Sequence, residues 1–120
     1  MSPEALKAVA RQAAVRRWIR VRFGAPSFEG LGFPGGEFID SGLDALAAGE
    51  ETAESLLVSL AAPRLEREGV PLPRNVWPDA DIRLYRLLER TGGSLAHARY
   101  LAYLRQAASF ADACAKTRAG

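Results

Sequence analysis

The stretch Ile82-Arg83-Leu84-Tyr85-Arg86-Leu87-Leu88-Glu89-Arg90-Thr91-Gly92-Gly93-Ser94 decides the fold class. Ile82, Leu84, Tyr85, Leu87 and Leu88 form a broad apolar face at helical spacing, and Asp79 stands where an N-cap belongs. Thr91-Gly92-Gly93-Ser94 stops this helix and caps another within four residues. So short a link predicts two antiparallel helices side by side. The second of them presents His97, Tyr100, Leu101, Leu104, Ala108, Ala111 and Ala115 on one side, with Arg99, Gln106, Ser109, Ala113 and Lys116 facing away.

Toward the N-terminus the same signals recur. Pro71, Pro73 and Pro78 make Val70 to Pro78 an extended connector. Before it, Thr52 is expected to cap a helix whose apolar face is Leu56, Leu57, Leu60 and Ala61. Pro63 should kink or restart that helix, and Gly69-Val70 should close it. Asp40 or Ser41 is expected to cap a short helix that runs through Ala48 and stops at Gly49. Ser2-Pro3-Glu4 is a strong helix start, and the helix is expected to reach about Arg22. Its early apolar residues, Leu6, Val9, Ala10 and Ala13, share a face that continues into Arg17 and Arg20. Val15, Trp18 and Ile19 lie on the opposite side, so either the helix meets different neighbours along its length or it ends early.

Phe23, Phe28, Phe33 and Phe38 recur every five residues, a period of neither helix nor strand. Five glycines and two prolines lie between the first and the last of them. The reading is a long ordered loop anchored by its rings, because disordered segments are poor in aromatics. Within it, Gly30-Leu31-Gly32-Phe33-Pro34-Gly35 matches a phosphate-loop string, but Pro34 sits inside it and Glu37 brings a carboxylate to where phosphate would approach. It is read as turn chemistry. The expected fold is therefore all-α: a compact bundle of four to five helices in one domain over residues 1–120, with a C-terminal antiparallel helical hairpin and a long Gly/Phe-rich loop.

Composition narrows the functional classes. The longest run without a charge, Ser55 to Pro63, is nine residues, too short to span a bilayer. Lys7, Arg11, Arg16 and Arg17 break any apolar signal segment, and the one cysteine, Cys114, permits no internal disulfide and no cysteine-based metal site. A cytoplasmic protein is expected. The first 24 residues carry six basic side chains against Glu4 alone, while the remainder carries ten basic and thirteen acidic ones. This basic arm meets either an acidic partner or the chain's own carboxylates, Glu50, Glu51 and Glu54 being the nearest cluster in composition.

No constellation for catalysis, metal or cofactor emerges, and none is assigned. His97, the lone histidine, is expected to be a buried core residue rather than a general base. The functional expectation is a small protein-interaction or regulatory module, homodimeric or one of a protein pair. Arg16, Arg17, Trp18, Arg20, Phe28 and Phe33 are the candidate partner-binding residues, since tryptophan and arginine dominate interfaces. The alternative is a nucleic-acid-binding regulator using the basic N-terminal helix, with guanidiniums on phosphates and an aromatic stacked on a base. An enzyme centred on His97 is third. No membrane partner is expected, because the arginines do not gather on a single polar face.

Overall fold

Ser2 opens the first helix by accepting a hydrogen bond from the Ala5 N–H at 3.1 Å, and Pro3 occupies the first turn, where its missing N–H costs nothing. The structure, a computed structural model, describes residues 2–73 and 75–119, apart from the side chains of residues 118 and 119. Among the described residues the chain forms five α-helices and one 3₁₀ turn, with no strand. These are α1 (Pro3–Phe23), α2 (Gly36–Ala48), α3 (Ala53–Arg67), α4 (Ala80–Gly92) and α5 (Ala96–Ala119), the turn being Gly93–Leu95. None of the helices is long and apolar enough to cross a membrane.

The helices build outward from α3, which packs against α2, α4 and α5. On one side of α3, Val58 and Leu65 join Val15, Ile19, Phe28, Ile39, Leu43, Leu46 and Phe110 in one core. On the other side, Leu56 and Leu57 join Leu84, Leu88, Ala96 and Ala107 in a second. α2 crosses α3 closely at Gly42, where a Cβ would fall 2.4 Å from the Glu54 carbonyl oxygen and from Val58 Cγ2. α1 lies at the edge, with α2 the one helix alongside it. The result is a slab of 42 × 41 × 22 Å, about two helix diameters thick.

Helix ends follow local chemistry at most sites. Thr52 and Ser55 form a reciprocal capping box at α3. Gly49 and Gly69 take the left-handed conformation that ends α2 and α3. At Gly69 the closing bonds run from the Val70 N–H to Leu65 O and from the Gly69 N–H to Glu66 O. α3 nevertheless passes through Pro63 without restarting. It packs on both sides there, and Ser59, four residues earlier, donates its hydroxyl to Ser55 O at 2.8 Å and accepts from the Trp77 N–H at 2.9 Å.

Three expectations are corrected. α2 begins at Gly36 rather than near Asp40, so Phe38 is helical and only Phe28 and Phe33 lie in the loop. Asp40 does not cap its own helix. Its carboxylate reaches back to accept from the Phe28 N–H at 3.1 Å and the Glu29 N–H at 2.9 Å, tying down the loop. Burial raises its pKa above the ordinary value, against the pull of those two bonds. At α4, Asp79 occupies the cap position in a left-handed conformation, and its side chain makes no capping bond.

His97 is the third correction: it is exposed, not buried. The face that α5 buries is carried by Ala96, Ala107, Phe110, Ala111 and Cys114, with Tyr100 and Tyr103 half-buried. That axis lies one residue, about 100°, away from the His97–Leu101–Leu104–Ala108 line. Phe110 sets it. Its ring sits edge-on to Phe28 at 4.7 Å, and burying so large a ring outweighs burying the smaller side chains on the neighbouring line.

Phe28 is fully buried beneath Trp18, Phe23, Phe33 and Phe110. Phe28→Ala should therefore lower stability by about 3–5 kcal/mol, read from the midpoint of urea unfolding. Burial, reinforced by Glu68 and opposed by Arg22, pushes the Cys114 thiol up to about 11. At pH 8 the native protein should leave a thiol-reactive disulfide reagent unreduced over minutes, and should react fully once unfolded in guanidinium.

Candidate partner-binding surface

α1 is an unbroken helix of 21 residues with apolar side chains on two opposite faces. A straight helix at the edge of the slab can turn only one of them inward. Val15 and Ile19 are the buried pair, with Trp18 half-buried beside them, so this face seals the core. Arg17 and Arg20 lie on the opposite line, and burying two guanidiniums without partners would cost far more than exposing a leucine and a valine. Leu6, Val9, Ala10 and Ala13 therefore point away from the body. Leu6 is 56% exposed, Val9 52%, and Val21, farther along, 80%.

The arginines of α1 divide in the same way. Arg11 donates to the Ala47 carbonyl at the end of α2 at 2.8 Å. Arg16 pairs with Asp44 at 3.2 Å, and the Arg22 guanidinium lies 5.1 Å from the centre of the Phe23 ring. Lys7, Arg17 and Arg20 are exposed and make no side-chain hydrogen bond or ion pair among the described residues. Two carboxylates of the Glu50–Glu54 segment serve other elements: Glu51 pairs with Arg83 at 3.2 Å, and Glu54 accepts from the Tyr103 hydroxyl at 3.4 Å.

The six residues singled out from the sequence do not share one surface. Arg17 and Arg20 face outward on α1. Arg16 lies to one side, engaged with Asp44. Trp18 faces inward, edge-on to Phe23 at 5.6 Å. Phe28 has no exposed surface to offer a partner. Phe33 is half-buried, in contact with the rings of Phe23 and Phe110. The residues that sequence reasoning passed over are Leu6 and Val9. Their spacing marked a helical face, but a face bound for the core and a face left for a partner have the same spacing.

Elsewhere the chemistry is sparse. His97 Nδ1 is 3.4 Å from the Tyr85 hydroxyl on an exposed edge between α4 and α5, where Tyr85 also stacks edge-on against Tyr100 at 5.2 Å. Among the described residues no group of three or more metal-ligating side chains converges. Comparison with protein-family models, with curated proteins and with solved structures finds no match to this chain.

The two faces of α1 make opposite predictions for the same chemical change. Leu6→Asp and Val9→Asp should leave unfolding free energy within about 0.5 kcal/mol of the parent. Ile19→Asp, which buries a carboxylate in the core, should lower it by 3 kcal/mol or more, on the order of other unpaired buried charges. Equal losses at both faces would place the Leu6 line inside the fold.

Proposed function

We propose that the protein is a helical interaction module that holds a partner protein along the outward face of α1. The observation that carries this reading is the two-faced helix: Val15 and Ile19 complete the core, and a separate apolar ridge of Leu6 and Val9 is left exposed beside unpaired Arg17 and Arg20. Contiguous exposed apolar side chains are a cost in water that association repays. A cytoplasmic setting belongs to the same proposal, in keeping with a single cysteine whose thiol is buried and protonated. Nucleic acid is the less favoured partner, because Arg11 and Arg16 are used within the fold and the outward line from Leu6 to Ala13 is apolar.

The test compares the parent chain with the double variant Leu6→Asp/Val9→Asp, each immobilised and exposed to a nuclease-treated lysate of the source cells. The expected result is a discrete protein retained by the parent and lost with the variant, at unchanged circular dichroism. Identical retention by both would overturn the assignment to α1, and material retained only from a parallel lysate left without nuclease would favour the alternative.

A further inference from the structure

Resting on that reading, the charge arrangement of α1 points to a partner of defined chemistry: we infer that α1 receives an amphipathic helix of another protein, packed antiparallel, with carboxylates in its first two turns and large apolar residues after them. The outward line of α1 has three zones. Leu6 and Val9 project at its start, Ala10 and Ala13 form a shallow stretch in the middle, and Arg17 and Arg20 close it. From Leu6 to Arg20 the line is about 21 Å long, the reach of about four helical turns. Alanines between larger side chains leave a hole that admits a leucine or phenylalanine from a facing helix, so that the two axes come close.

Charge then selects among occupants. α1 carries one acidic residue, Glu4, and it sits on the side away from this line, so α1 itself offers Arg17 and Arg20 no carboxylate. A second copy using the same face would set Arg17 against Arg17 if parallel. If antiparallel, it would carry its arginines to the positive end of the other α1. Both arrangements repel. A foreign helix with carboxylates opposite Arg17 and Arg20 removes this repulsion and completes two ion pairs at the rim of an apolar contact. Its direction follows from the dipoles. Acidic residues favour a helix N-terminus, and an antiparallel helix brings its N-terminus to the C-terminal half of α1, where Arg17 and Arg20 lie. Ala13 lies four residues before Arg17, about 6 Å, and Val9 eight, about 12 Å, so the partner's apolar residues fall about four to eight positions after its carboxylates.

The probe is a pair of fluorescently labelled synthetic helical peptides of identical composition. One carries glutamates in its first two turns and leucines after them; the other has that order reversed. Anisotropy titrations with the full-length chain at 150 mM salt should show the first peptide bound at least tenfold more tightly than the second. Arg17→Glu/Arg20→Glu should erase that preference, and Leu6→Asp/Val9→Asp should weaken both peptides tenfold or more, with circular dichroism unchanged in each variant. Equal affinity for the two peptides, tighter binding of the reversed one, or no binding of either would overturn the inference. So would a homodimer in light scattering, or binding of duplex DNA or anionic phosphatidylserine vesicles, that the Leu6→Asp/Val9→Asp change abolishes. The two readings fail separately. Variant-sensitive capture from lysate without peptide preference leaves the module and removes the acidic helix; variant-insensitive capture removes the module itself.

Discussion

Phe28 is the point at which α1, α2, α5 and the loop between α1 and α2 are joined. Its ring meets Trp18 and Phe23 from α1, Phe33 from its own loop and Phe110 from α5, and Asp40 of α2 clamps its backbone N–H. The contact with Phe110 fixes the rotation of α5, since that ring must reach Phe28 at 4.7 Å. The contacts with Trp18 and Phe23 fix the rotation of α1 in the same way, because they turn the Val15–Ile19 face toward the core. Once both rotations are set, His97 is on the surface and Leu6 and Val9 point outward. The exposed ridge is thus a consequence of how one loop residue is buried.

How far the sequence could be read follows the range of the interactions. Helix ends at Ser2-Pro3, Thr52, Gly49 and Gly69-Val70 stand where they were expected, because each depends on bonds within a few residues. Faces were harder. α5 offers two adjacent lines of apolar and small residues, and only a ring from the distant 24–35 loop decides between them. Asp40 resembled a cap because carboxylates near helix starts often are caps; that it bonds two N–H groups eleven and twelve residues earlier is a tertiary fact. The candidate site was legible in part. Arg17 and Arg20 were singled out, while Phe28 was taken for a contact residue although it is, like Phe110, fully buried.

α3 separates two cores with different demands. The core shared with α1 and α2 buries Phe28 of the loop and Phe110 of α5 among aliphatic side chains, whereas the buried members of the core shared with α4 and α5 are leucine and alanine. Gly42 lets α2 approach α3 closely enough for both cores to meet one central helix. α1 takes part in the first core alone, through its second half.

The lengths of the helices add a mechanical point. α1 has 21 residues and α2 has 13, so α1 outruns its one helical neighbour by about 12 Å. Its opening turns are an overhang, held at their inner end by the strut from Arg11 to the Ala47 carbonyl. A helix of so few turns without tertiary support is only marginally stable in water. Opening the overhang would therefore cost the rest of the slab little, and anything that settled on it would also have to hold it wound. For a guest on this face, part of the affinity would be set by α1 itself, through the work of keeping about two turns of helix closed.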